Sequence, residues 1–68
     1  MTDNWTVVYS ASEIYEANLL KWMLEENDIE CIILDKKDSQ YSFGEIEILT
    51  PTELSFTAKQ LIVNFQHE

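Results

Sequence analysis

Glu45-Ile46-Glu47-Ile48-Leu49, running on into Thr50-Pro51-Thr52-Glu53, is the stretch on which the architecture turns. Acidic and apolar residues alternate with a period of two, which predicts a strand over 45–49 whose inward residues are Ile46 and Ile48. The pattern then changes. Thr50 reads as a helix cap, with Pro51 at the first helical position, where a missing N–H costs nothing, and Glu53 three residues after the cap. Beyond it Leu54, Ala58, Leu61, Ile62 and Phe65 share one face of a helix.

Upstream of the alternating stretch lies a polar, charged run, residues 35–44 (DKKDSQYSFG), which is longer than a hairpin connection requires. Before it, Ile29 to Leu34 reads as a second strand. Ile29, Cys31 and Ile33 fall on one side of that strand, and Glu30, Ile32 and Leu34 on the other. Ala17, Leu20 and Leu24 recur at helical spacing, bordered by Glu16, Lys21 and Glu25, so a helix precedes that strand with this stripe toward a sheet. Ser10-Ala11-Ser12-Glu13 fits a capping box with Tyr9 and Ile14 as its hydrophobic staple, and Ser12 is an equally good cap. Glu26-Asn27-Asp28 ends the helix, since Asn and Asp tolerate the left-handed conformation found at helix ends. Asn4 to Ser10, rich in aromatic and β-branched residues, is a first strand.

The order is therefore β-α-β-β-α. A right-handed crossover from the first strand to the second leaves a gap that the third fills antiparallel, giving sheet order 1-3-2 with both helices on one face. The expected fold is α+β, a two-layer ferredoxin-like sandwich lacking its last strand, with the outer side of strand one as an unpaired edge.

The wider composition bounds the function. The 68 residues include 13 Asp and Glu against four Lys and no Arg, a formal net charge of -9, which argues against nucleic acid as a partner. One Gly and one Pro leave no linker, so residues 1–68 read as a single domain. An acidic start, no run of about 20 apolar residues and one cysteine point to a cytoplasmic protein with no membrane partner and no internal disulfide. With 46% hydrophobic residues the chain should fold rather than behave as an acidic tail.

Val8-Tyr9 before a helix, Glu16-Ala17, Leu19-Leu20, Leu24-Glu25 and Ile29 opening a strand carry a family resemblance. So do Lys36-Lys37-Asp38-Ser39-Gln40-Tyr41, Gly44-Glu45-Ile46 and Ala58-Lys59. Together they resemble the family of putative prokaryotic signal-transducing proteins, over nearly the whole chain. Members are similar in topology to the nitrogen-regulatory PII proteins, which implies bacterial signalling by sensing a ligand or a partner. Against the usual family pattern, Asp28 stands where glycine commonly ends the first helix, and Trp22 replaces a small or polar residue.

Catalysis is not expected. The single histidine, His67, lies next to the last residue, and no nucleophile-base set, phosphate loop or zinc spacing is present. Cys31 alternates with two isoleucines and reads as core packing. No cofactor or metal is implied, because Glu30, Glu45 and Glu47 form a parallel ladder rather than a converging set. Binding is the expected activity. Ile32, Leu34 and Leu49 share the face opposite the helices, joined either by Trp5, Val7 and Tyr9 or by Val8, according to the parity of the first strand.

Tyr15, Leu19 and Trp22 make a second stripe on the first helix. Helix packing accounts for Leu19 and Met23, whereas Trp22 reads either as a contact with another chain or as a lid along its own surface. In the 35–44 loop, Lys36 and Lys37 with the hydroxyls of Ser39, Tyr41 and Ser42 would suit a small anionic ligand or a charge-adding modification. The other reading of that loop is a solvated connection whose Tyr41 and Phe43 cover the sheet end. The leading expectation is a non-enzymatic regulatory or interaction module that binds a protein partner or itself as a homo-oligomer, through the open sheet face, the free edge of strand one, where pairing of two edges would continue the sheet, and the 35–44 loop. The second is a sensor of an anion or nucleotide.

Overall fold

A computed structural model describes residues 4–35 and 46–66. The elements follow in the order β1 (Trp5–Ala11), α1 (Ile14–Glu26), β2 (Ile32–Asp35), β3 (Ile46–Pro51), a 3-10 turn (Thr52–Leu54) and α2 (Ser55–Gln66). The three strands form one antiparallel sheet in the order β1-β3-β2. This is the expected α+β arrangement, a two-layer ferredoxin-like order with three strands among the described residues.

Alternation in β3 decides the layers. Ile46, Ile48 and Thr50 are fully buried, whereas Glu47, Leu49 and Pro51 on the other face are half-buried. Helix α1 contacts all three strands and α2 contacts β1 and β3. Both helices therefore cover the Ile46–Ile48–Thr50 face, and the opposite face carries no layer among the described residues. Ala17, Leu20 and Leu24 of α1 and Ala58 and Ile62 of α2 close the core, with Leu54, Leu61 and Phe65 packed at its margin. Met23 joins it from α1. Each fully buried Ile or Leu contributes roughly 1.5–3 kcal/mol of burial.

Three element boundaries differ from expectation, each for a local reason. The first helix is capped by Glu13, not by Ser10 or Ser12. Glu13 is extended (φ -125°, ψ 143°), and its carbonyl accepts from the N–H groups of Glu16 and Ala17 at 3.2 Å with no side-chain cap bond. The Tyr9–Ile14 staple does not form, because Ile14 is exposed and Tyr9 turns to a polar contact.

Strand β2 begins at Ile32 rather than Ile29. The backbone at Asp28 and Ile29 serves the helix end instead: Asp28 N–H donates to the Glu25 carbonyl and Ile29 N–H to the Leu24 carbonyl, both at 3.0 Å. This is a Schellman motif, with Asp28 in the left-handed region at φ 64° and the buried pair Leu24 and Ile29 as its apolar contact. Glycine is favoured at such a position, and Asp is one of the few residues with a side chain that tolerate it. Ile29 is buried as expected, but as part of a cap.

Thr50 and Pro51 belong to β3 and do not cap the last helix. Thr50 is wholly buried, and its hydroxyl donates to the Pro51 carbonyl at 3.2 Å. Pro51 sits at the strand end, where its missing N–H is tolerated, and α2 starts at Ser55 after the 3-10 turn. The β2 ladder stops at Ile32 opposite Leu49, short of this proline.

Strand β1 contains a bulge. Val7 pairs with Leu49 and Tyr9 with Ile48, so Val8 is an extra residue between consecutive partners. Directly paired residues share a face, so Trp5 and Val7 lie on the open face and Tyr9 and Ala11 on the helix face. The two parities considered for this strand are both present, one on each side of Val8.

Candidate interaction surface

Pairing across the sheet assembles the open face in rows. Val7, Leu49 and Ile32 form one row across all three strands. Trp5 beside Pro51 flanks it on one side, and Ser10, Glu47 and Leu34 form the row on the other. Val7, Ile32 and Leu34 are 38%, 40% and 44% exposed, and Trp5 and Leu49 are half-buried. Antiparallel sheets with one solvated face ordinarily turn polar residues that way. This face is instead mostly apolar, with Glu47 and Ser10 along one margin.

The interface residues expected from sequence divide accordingly. Trp5, Ile32, Leu34 and Leu49 come together on the open face. Tyr9 does not, because the bulge rotates it to the helix side. There its hydroxyl donates to Glu16 Oε2 at 2.7 Å and accepts from Gln66 Nε2 at 2.8 Å, tying β1 to both helices. The Glu16 hydrogen bond first, and burial second, raise its phenol above the ordinary value.

Trp22 lies on α1, 59% exposed, with Tyr15 at 72% and Leu19 at 47%. At 100° per residue these three sit nearly opposite the Ala17–Leu20–Leu24 stripe, so Leu19 is not taken up by helix packing as expected. Helix α2 repeats the arrangement with Phe56 and Val63, 73% and 50% exposed, opposite Ala58 and Ile62. Sequence reasoning passed over Phe56 and Val63. Their spacing of seven was the available signal, masked by the stronger core stripe.

Lys36, Lys37, Ser39, Tyr41 and Ser42 lie outside the described residues, as do Phe43, Glu45 and His67. Glu30 is exposed in the turn before β2 and not on the sheet. Cys31 is half-buried against the core, with Sγ 3.9 Å from the Lys21 carbonyl oxygen. Burial first, then Glu25, push its thiol up, which disfavours the reactive thiolate. Lys21 bonds Glu25 at 2.6 Å along the helix surface.

Glu25, Asp28, Ile29 and Glu30 line an open depression of about 290 Å³. No group of three or more His, Cys, Asp or Glu among the described residues could hold a metal ion. Among those residues no helix is long and apolar enough to cross a membrane.

Comparison with known proteins gave no match among curated proteins and none among solved structures. The family model described as putative prokaryotic signal transducing protein matches residues 5–64, which takes in all three strands, α1 and all but the last two residues of α2, and the chain belongs to that family.

Proposed function

We propose that the protein is a non-enzymatic signalling module that acts by binding a protein partner through the open face of its sheet. The observation that carries this reading is the apolar row Val7–Leu49–Ile32, extended by Trp5 and Leu34, on a face that no other layer covers among the described residues. Contiguous exposed apolar surface rimmed by polar groups marks interaction sites. The family description supports a role in signal transduction.

Capture of partners from native extract tests it, comparing the natural chain with Leu34→Glu. Leu34 is exposed and outside the core, so the variant should fold. A partner held by the natural chain and lost from the variant is the expected outcome. Equal capture by both overturns the reading.

A second reading is a sensor of a small anion, and it rests on the sequence: Lys36 and Lys37 are half of the four positive side chains. Thermal-shift measurements with phosphate-bearing metabolites, repeated on Lys36→Ala with Lys37→Ala, decide it. A shift in the natural chain that the double variant loses supports a sensor.

A further inference from the structure

Strand β1 has one ladder, to β3, and its outer side is unpaired among the described residues. Such an edge presents a row of backbone N–H and C=O groups, and proteins ordinarily blunt it with charge, proline or shortness. The other edge is blunted in this way. Strand β2 is four residues long, ends on Asp35 and follows closely after Glu30. Strand β1 is seven residues long and carries no charge. The uncharged run extends from Asn4 to Ser12, in a chain with 13 acidic residues. The bulge at Val8 is its one irregularity.

We propose that this edge is occupied by the same edge of a second copy of the chain. The two β1 strands run antiparallel about a twofold axis, making a six-stranded sheet in the order β2-β3-β1-β1-β3-β2. The inference deepens the binding-module reading, on which it rests, by naming one partner.

Charge selects the occupant. Twofold pairing brings residues of a strand against the same strand of the copy, so a charge on β1 would meet a like charge. Two chains of net charge -9 repel over most of their surfaces, and a neutral strand is the place where they can meet. A basic partner strand would instead call for carboxylates along the edge, and β1 has none. The second copy also fills the position beside β1 that the last strand of a complete ferredoxin-like sandwich occupies. Trp5 and Val7 of both copies would then belong to one continuous open face.

Sedimentation of the 68-residue chain from about 10 μM to about 1 mM, the range in which a small interface associates, measures the equilibrium. Amide exchange locates the contact. A dimer is expected, with β1 amides gaining protection as concentration rises. Val7→Glu places an acid on the pairing strand and should weaken dimerisation roughly tenfold or more. Leu34→Glu, on β2, should leave the dimer intact, so failure of the open-face reading and failure of the dimer are told apart. A monomer throughout the range overturns the proposal, as does new protection in β2 or the helices in place of β1. Loss of the dimer in both variants would mean face-to-face contact and also overturns it. Should Val7→Glu fail to fold, the protection pattern of the natural chain decides.

Discussion

Tyr9 shows how one displaced residue changes the use of a side chain. Sequence alternation leaves its face open, and the bulge turns it inward, where its hydroxyl joins Glu16 of α1 to Gln66 of α2. Removing that hydroxyl leaves the half-buried Glu16 carboxylate and the exposed Gln66 amide to water. Tyr9→Phe should therefore lower stability by about 1 kcal/mol, a fall in Tm of about 4–8 °C for a domain this size, read by thermal unfolding. The same contact sets a pH dependence. Tyr9 and Cys31 are both raised above ordinary values of 10.0 and 9.0, so the folded state favours their neutral forms. That contribution is complete below pH 9 and is lost as pH climbs through the raised values. Unfolding followed from pH 7 to 11 should show the decline, smaller in Tyr9→Phe. A Tm as steep in the variant as in the natural chain would remove the phenol from the account.

Among the elements, β3 holds the others in place, pairing on both sides and presenting Ile46, Ile48 and Thr50 to both helices. Ile48→Ala opens a cavity where the surroundings cannot collapse, at about 2–5 kcal/mol. A domain of this length has roughly 3–10 kcal/mol in total, so urea titration should find the midpoint of the variant lowered by a large fraction. A midpoint within experimental error of the natural chain would contradict the central place given to this strand. β3 was also the most legible element, because strict alternation has one inward set. Where legibility failed, the same residues satisfied two local rules. Ile29-Glu30-Cys31 alternates like a strand, yet the Ile29 N–H is drawn into the end of α1. Thr50-Pro51-Thr52-Glu53 reads as a cap, yet burial of Thr50 extends β3 first. Two adjacent valines give no sign that one is a bulge, so the face of Tyr9 could not be read. The apolar outer stripes of α1 and α2 were visible only in part, since a core stripe at the same spacing dominates the pattern.

At the largest scale the described residues form a slab of 36 × 33 × 15 Å, one sheet layer and one helix layer thick. A net charge of -9 on so thin a body sits close together, and self-repulsion works against the compact state. Adding sodium chloride from about 0.01 M to about 0.5 M shortens the screening length from about 30 Å to a few Å and should raise Tm. Measured at a dilution where only monomer sediments, an unchanged or lower Tm would mean that repulsion is not a material term. The strand order bears on biosynthesis as well. The central strand is the last of the three along the chain, and β1 and β2 touch it rather than each other. During translation neither can pair until residues 46–51 have left the ribosome, so the neutral β1 segment waits uncovered in the nascent chain. Folding of this domain should thus be a late, concerted event rather than a stepwise one, and the interval before it is when β1 is most open to chaperones.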